Sequence, residues 1–126
     1  MHNHQLAKIK DVRLGRQGSI MTLSIGLGYS KSTGQYFGGY ALDDWDEKRG
    51  RRVGTAAGMD FIMQILDLFH VDSLDKIIGR TVYALFPGEN KWGEDVIGLQ
   101  TPDFDGGEQF LIENWKREWS LPHIST

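Results

Sequence analysis

The chain has 126 residues, 40% hydrophobic and 25% charged, and its 14 basic and 17 acidic side chains give a net charge of −3. This length and balance predict one domain over residues 1–126 with a single hydrophobic core, and they exclude a general attraction to nucleic acids or anionic membranes. The absence of cysteine excludes disulfides, thiolate metal sites and cysteine nucleophiles. No apolar run approaches the roughly 20 residues that cross a bilayer, and charges interrupt any signal peptide in residues 1–20, so we expect a cytoplasmic protein.

The N-terminal part of the chain predicts a short tail followed by a strand. Residues 1–5 are polar, which favours a loose tail. Residues 7–14 alternate imperfectly, because Ala7 and Ile9 share one phase while Val12 and Leu14 share the other. A β-bulge near Lys10–Asp11 reconciles the two phases.

The next segment has the most regular alternation in the sequence. Between residues 20 and 29, large apolar residues at odd positions alternate with mostly small residues at even positions. We therefore predict a strand whose small face lies under a helix or against a second copy of the protein. A turn over residues 30–34 and a third strand over Tyr36–Leu42 complete a three-stranded meander.

A long charged loop and then the main helix are predicted next. Residues 43–54 are polar and strongly charged, which is typical of a loop. The helix is expected to begin at Thr55 and to reach Phe69 or His70, and its broad apolar face places it at the centre of the core. Gly58 inside this helix indicates close packing, since glycine otherwise destabilises a helix.

The C-terminal half predicts shorter elements. In chain order they are a helical turn over Ser73–Gly79, a strand over Thr81–Phe86, a strand over Val96–Leu99, a loop over Pro102–Gly107, a strand over Gln109–Ile112 and a helical turn capped by Asn114. A helix spanning Leu111, Trp115 and Trp119 is the alternative for the last segment. The predicted fold is therefore α+β, with an antiparallel sheet of about five strands in the order β-β-β-α-β-β packed on one main helix.

An anion site is the most specific functional prediction. Arg49, Arg51 and Arg52 precede the expected helix N-terminus at Thr55, where free N–H groups and the helix dipole favour phosphate. The aromatic residues near this segment that are candidates for stacking on a base are Tyr36, Tyr40 and Trp45. In the alternative interpretation the segment is a solvated charged loop. Its arginines are then neutralised by the neighbouring acidic residues Asp43, Asp44, Asp46 and Glu47.

Other chemistry finds little support in the sequence. The acidic run lacks the glycine and the glutamate that a calcium loop requires, so no metal site is expected. Gly26–Thr33 lacks the glycine before lysine of a phosphate loop and joins two strands, which predicts a hairpin turn. The four histidines form no catalytic motif, so we expect neither an enzyme nor a bound cofactor. Trp92, in a loop over residues 91–93, is a candidate interface residue, whereas Trp115 and Trp119 more simply close the core.

Four segments carry a resemblance to a known class of proteins. The runs Phe37-Gly-Gly-Tyr-Ala-Leu-Asp43, Gly50-Arg-Arg-Val-Gly-Thr-Ala-Ala-Gly-Met-Asp-Phe-Ile62, Val71-Asp-Ser-Leu74 and Gly79-Arg-Thr-Val82 resemble small uncharacterised accessory proteins of phages and prophages. The resemblance extends loosely over residues 7–99, and the segment from Thr101 departs from it. It implies a non-catalytic inhibitor of bacterial defence in the cytoplasm of the host. Proteins of this type either bind a defence protein, as anti-CRISPR proteins do, or sequester a nucleotide signal, as Thoeris sponges do. The sponges are commonly oligomers with pockets between subunits.

Three functional hypotheses follow. The first is sequestration of an anionic, nucleotide-like ligand by a homo-oligomer, with Arg51, Arg52 and Thr55 at the phosphate and Tyr40 or Trp45 at the ring. The second is a protein-binding inhibitor that presents the acidic run over residues 43–47 and exposed aromatics to a basic nucleic-acid-binding surface. The third is a component of virion assembly.

Overall fold

A computed structural model of the chain describes residues 3–88 and 94–121. Eight strands and two α-helices form in these residues. In chain order they are β1 (Asn3–Gln17), β2 (Ile20–Gly28), β3 (Gly34–Gly38), β4 (Asp43–Asp46), β5 (Arg51–Gly54), α1 (Ala56–Phe69), β6 (Thr81–Phe86), β7 (Gly98–Gln100), β8 (Gln109–Leu111) and α2 (Ile112–Glu118). The α+β class is confirmed. The sheet has six strands in the order β3-β2-β1-β6-β7-β8 rather than about five, and a separate β4–β5 sheet forms. The helical turn predicted near the C-terminus is a second helix, α2, so the fold has two helices rather than one main helix.

Strand β1 is the longest element of the sheet and contains the predicted bulge. All the pairs within the six-stranded sheet are antiparallel, and β1 lies between β2 and β6. Its register against β2 shifts between Ile9 and Asp11, as the change of phase indicated. The loose tail was wrong for Asn3 to Gln5, which pair with Phe86 to Ala84 of β6. Backbone pairing outweighs the polar composition of these residues.

One face of the sheet is covered by the two helices and forms the core. Helix α1 begins and ends where the sequence indicated, with Thr55 as N-cap and His70 as a left-handed C-cap. Helix α2 closes the core, because the Trp115 indole is buried and donates to the carbonyl oxygen of Ala57 at 2.8 Å. The asparagine predicted as its cap, Asn114, lies inside α2 instead.

The segment after β3 corrects two predictions. The third strand ends at Gly38 rather than Leu42, because Gly38 and Gly39 have positive φ angles that turn the chain. The predicted loop over residues 43–54 is a β-hairpin, in which β4 pairs with β5 from Asp43↔Gly54 to Asp46↔Arg51. Opposite charges across the two strands support this pairing in a segment with few apolar residues.

The C-terminal half follows the prediction with shifted boundaries. Strand β6 has the predicted limits, whereas β7 begins two residues later than predicted. A 3-10 helix, Asp103–Asp105, forms within the predicted loop. The Trp92 loop lies outside the described residues. Within those residues, neither helix is long and apolar enough to cross a membrane.

The other face of the sheet, called the outer face here, is open to solvent over β1, β2 and β3. Its exposed side chains on these strands include Leu6, Lys8, Lys10, Asp11, Arg13 and Tyr36. The even-numbered residues of β2 lie on this face, opposite the odd-numbered residues that belong to the core beneath the helices.

Candidate functional site

Arg52 is held by an ion pair within the hairpin. Its Nε lies 3.1 Å from Oδ2 of Asp43 and its Nη2 lies 3.1 Å from Oδ1, which makes a bidentate contact. Oδ1 of Asp43 also accepts from the backbone N–H of Met21 at 3.1 Å. The hydrogen bonds from Arg52 hold the pKa of Asp43 below its ordinary value of 3.8, and those to Asp43 raise the pKa of Arg52. The guanidinium therefore joins β5 to β4, and the Asp43 carboxylate joins β4 to the start of β2.

The other two arginines do not converge with Arg52. Nη1 of Arg49 lies 2.7 Å from Oδ2 of Asp46, whose Oδ1 also accepts from the Arg49 backbone N–H at 2.9 Å. Arg51 is exposed, and it projects from the opposite face of β5 because successive strand residues alternate. Arg49 and Arg52 thus make the contacts of the alternative interpretation, whereas Nη1 of Arg51 donates to the carbonyl oxygen of Arg52 at 3.4 Å.

The N-terminus of α1 is capped by the chain itself. Oγ1 of Thr55 accepts from the backbone N–H of Gly58 at 2.9 Å and donates to the carbonyl oxygen of Leu42 at 3.2 Å. The Leu42 backbone also lies directly over Gly58, where a Cβ atom would come within 2.1 Å of the Leu42 oxygen. Access of an anion to this end of the helix is restricted accordingly.

The two aromatic residues of the predicted site lie in different surroundings. Tyr40 is half-buried, and its ring lies 6.3 to 6.4 Å from those of Phe37, Phe61 and Trp115. Burial raises the pKa of its phenol. Trp45 is exposed on β4. Tyr40 is thus a core residue, and the six predicted site residues are not gathered around one opening.

A different cluster surrounds an open groove of about 320 Å³ on the outer face. This groove, called the outer groove below, lies where the β1 bulge meets the β2–β3 hairpin. It is lined by Lys10, Asp11, Gly26, Leu27, Gly28, Lys31, Ser32, Thr33, Gly34, Gln35 and Tyr36. The predicted turn between the two strands is confirmed and supplies one end of the groove, where the Ser30 and Thr33 hydroxyls lie 2.7 Å apart.

Two glycines of β2 form the floor of the outer groove. A Cβ atom on Gly26 would lie 1.9 Å from Oδ1 of Asp11 and 3.3 Å from Cε1 of Tyr36. One on Gly28 would lie 2.2 Å from Cε of Lys10. The side chains of Asp11 and Lys10 therefore lie directly over Gly26 and Gly28, and the bulge places both of them on the same face.

The charged side chains that line the outer groove are unpaired in the described part of the chain. Among residues 3–88 and 94–121, the side chains of Lys10, Lys31 and Asp11 make no hydrogen bond or ion pair. Tyr36 is 68% exposed beside them. Two ammonium groups against one carboxylate leave the groove with a local positive charge next to an accessible aromatic ring.

The sequence contained the signals for this groove separately. The bulge and the small face of β2 were both predicted, but the small face was assigned to a covering helix or copy. The prediction that a helix covers the small face of β2 is wrong, because α1 lies on the opposite face of the sheet. Recognising the groove from sequence required knowing that the bulged residues and the glycines share the outer face.

A second exposed feature is the loop over residues 101–108 between β7 and β8. The Thr101 N–H donates to the Glu108 carbonyl oxygen at 2.9 Å, and the Glu108 N–H donates to Oγ1 of Thr101 at 3.0 Å. Asp105 is paired with Arg80 at 3.1 Å, and Glu108 contacts His70 at 3.0 Å. Phe104 is 81% exposed at the tip of this closely bonded loop.

Comparison of the chain with protein-family models, with curated proteins and with solved structures found no match. Within the described residues, no group of three histidine, aspartate or glutamate side chains is placed to hold a metal ion.

Proposed function

We propose that the chain is a non-catalytic binding protein that takes up an anionic, nucleotide-like ligand in the outer groove. The observation that carries the proposal is the presence, around one groove, of an exposed tyrosine ring and two lysines that have no hydrogen-bond or ion-pair partner among the described residues. In this arrangement Lys10 and Lys31 contact the phosphate and Tyr36 contacts the base. The resemblance to phage accessory proteins supports a role in withdrawing a nucleotide signal from host defence.

Electrostatics favour the outer groove over the arginine hairpin. A ligand phosphate at Arg52 or Arg49 has to displace Asp43 or Asp46, whereas Lys10 and Lys31 have no such competitor in the described chain. Across the hairpin, four acidic side chains between residues 43 and 47 are matched by four basic ones between residues 48 and 52. This segment therefore offers little net attraction for an anion, while the groove carries a local excess of positive charge.

The shape of the groove favours a ligand with a flat part. The side chains of Asp11 and Lys10 cover Gly26 and Gly28, and the exposed aromatic face of Tyr36 stacks on any base with little sequence preference. A volume of about 320 Å³ lies at the lower end of the range for small-molecule sites. A mononucleotide or a cyclic nucleotide fits this space better than a polymer does.

The test is a thermal-shift screen of the wild-type chain against nucleotides, cyclic nucleotides and ADP-ribose derivatives. Inorganic phosphate and neutral nucleosides form separate arms. A ligand at about 100 times its dissociation constant stabilises the native state by roughly 2.7 kcal/mol, which gives a visible shift for a domain of this size. We expect a shift with the full nucleotide, a smaller one with either half, and recovery of the ligand chemically unchanged.

A matched pair of variants locates the site. Lys10→Glu/Lys31→Glu reverses the charge of the outer groove, whereas Lys48→Glu/Arg51→Glu makes the same change on the hairpin without breaking its ion pairs. We expect the first variant to abolish the shift and the second to retain it. The opposite result assigns the ligand to the hairpin. A wild-type chain that none of the compounds stabilises argues against the proposal for those classes.

A protein partner is the second candidate function, favoured by Phe104. The acidic run over residues 43–47, which the sequence suggested as the contact surface, lies in a hairpin whose basic residues cancel its charge. The loop over residues 101–108 instead has three acidic residues and no basic one. It presents an almost fully exposed phenylalanine between Asp103 and Asp105 in a backbone held by internal hydrogen bonds. An aromatic anchor with acidic neighbours suits an apolar pocket rimmed by cations, as on a nucleic-acid-binding protein.

This candidate is tested by capture from host lysate with a matched apolar control. Phe104→Ala and Met59→Ala each remove one exposed apolar side chain, the second from α1. A protein partner of the loop is retained by the wild type and by Met59→Ala and is lost with Phe104→Ala. Equal capture by all three chains excludes Phe104 as the anchor.

A further inference from the structure

We propose that two copies of the chain associate through the free edges of β3, so that their six-stranded sheets join into one continuous antiparallel sheet. This inference goes beyond the proposed ligand and does not depend on it. Strand β3 ends the sheet order, and β2 is its single strand partner in the described residues.

The pairing with β2 fixes which backbone groups of β3 are free. The Tyr29 N–H donates to the Thr33 oxygen at 3.0 Å, and the Gly39 N–H donates to the Leu23 oxygen at 2.9 Å. With the Leu27↔Gln35 and Ile25↔Phe37 pairs between them, the alternation of an antiparallel ladder directs the odd-numbered residues of β3 towards β2. The N–H and C=O groups of Gly34 and Tyr36 therefore point away from the sheet.

This edge lacks the features that keep sheet edges apart. Strand β3, with the sequence Gly-Gln-Tyr-Phe-Gly, contains no charged residue and no proline, and its pairing with β2 has no bulge. The opposite edge, β8, is only three residues long. Short length is itself a protection against edge pairing, so β3 is the edge available for a second strand.

The residues of β3 whose backbone groups face away from β2 are arranged symmetrically, with a glycine two positions on either side of Tyr36. In an antiparallel pair with a two-fold axis at Tyr36, this residue lies opposite Tyr36 of the second copy, and Gly34 lies opposite Gly38. Glycines at both ends leave the approach of the two backbones unobstructed. The two exposed tyrosine rings become cross-strand neighbours with Cβ atoms about 5 Å apart, a favourable aromatic pair.

The pairing also explains the exposure of Tyr36 in the single chain. A ring that is 68% exposed on the outer face gains a partner ring. The edge N–H and C=O groups of β3, which have no backbone partner among the described residues, gain hydrogen bonds. Each outer groove then ends at the subunit boundary, because Tyr36 lines the groove and also stands at the two-fold axis. A ligand held by Tyr36 would lie beside the second copy.

The experiment measures the mass of the ligand-free chain by light scattering at increasing protein concentrations. We expect the wild type to approach twice the 14.3 kDa of the monomer. Tyr36→Lys places two like charges opposite each other across the axis, and we expect it to remain monomeric. Leu6→Lys is the matched control, because Leu6 is an exposed residue of the same face but lies on β1, and we expect it to dimerise as the wild type does.

A second variant tests the backbone pairing itself. Tyr36→Pro removes an N–H that points away from β2, so the ladder within the subunit keeps its hydrogen bonds while the edge loses its central donor. Circular dichroism establishes that each variant is folded. A wild type that stays monomeric at every concentration overturns the proposal, and so does a dimer that persists in Tyr36→Lys. A dimer lost in Leu6→Lys assigns the contact to the open face instead. Because no ligand is present, failure here leaves the ligand proposal standing.

Discussion

A Cβ atom on Gly58 would lie 2.1 Å from the carbonyl oxygen of Leu42, which is closer than any real contact. The chain thus crosses the first turn of α1 where the helix has no side chain, and the same carbonyl accepts from Thr55. In the helix interior, alanine normally stabilises by roughly 0.5–1 kcal/mol relative to glycine. Because the obstacle here is backbone, we expect Gly58→Ala to lower the free energy of unfolding by about 1–2 kcal/mol.

Urea denaturation measures this change, and Gly54→Ala is the control. Gly54 ends β5, and no atom lies within 4 Å of the position its Cβ would occupy. We expect its substitution to alter the unfolding midpoint little. A stabilised Gly58→Ala would mean that Leu42 moves away from the helix at no cost.

The ion pair between Asp43 and Arg52 gives stability a specific dependence on pH. The pKa of Asp43 is lowered in the folded state, so its contribution is present above the unfolded value near 3.8 and is lost as pH falls through the folded value. We expect Asp43→Asn to lower the unfolding midpoint at neutral pH and to reduce the further loss of stability below pH 4. Urea titrations at both pH values measure the difference.

Asp44→Asn is the matched control in the same hairpin. The exposed side chain of Asp44 accepts from the Trp45 N–H at 2.8 Å, and asparagine can accept the same bond. We expect this variant to follow the wild type at both pH values. Equal acid sensitivity of Asp43→Asn and the wild type would show that the Arg52 contact contributes nothing to stability.

The elements with a strong period were predictable, and the hairpin and the site were not. Strand β2 and helix α1 have long uninterrupted patterns, and the phase change in β1 indicated its bulge. The β4–β5 hairpin has no apolar period, since it is held by cross-strand charges such as Asp43 and Arg52, and the sequence therefore indicated a loop. The arginines of the predicted anion site are not gathered around one opening for a related reason. Their spacing in the sequence does not reveal which acidic side chain each arginine contacts.

The floor of the outer groove provides a test that separates binding from stability. A Cβ atom on Gly28 would meet the flexible end of the Lys10 side chain at 2.2 Å, and its three nearest atoms all belong to that side chain. We expect Gly28→Ala to displace Lys10 and weaken ligand binding without lowering the free energy of unfolding. Titration of the ligand found in the thermal-shift screen measures the first effect, and urea denaturation measures the second.

Gly15→Ala is the control for this prediction. Gly18, in the turn after β1, is unsuitable because its φ angle is positive, a conformation that alanine rarely adopts. Gly15 lies on β1 outside the groove, and its Cβ would only touch the Arg13 guanidinium at 3.8 Å. We expect the ligand affinity of this variant to match that of the wild type. Unchanged affinity in Gly28→Ala would remove Lys10 from the site.

Two substitutions in the loop over residues 101–108 distinguish a residue that holds the loop together from one that is only exposed at its tip. Thr101 is fully buried and its Oγ1 accepts from the Glu108 N–H at 3.0 Å, so Thr101→Val removes an acceptor with little change of shape. We expect it to lower the free energy of unfolding by about 1 kcal/mol and to speed amide exchange at Glu108. Phe104→Ala, at the exposed tip of the same loop, should change stability by less than about 0.5 kcal/mol. If Phe104→Ala destabilises the fold as much as Thr101→Val does, the phenylalanine belongs to the structure of the loop and is not an anchor for a partner.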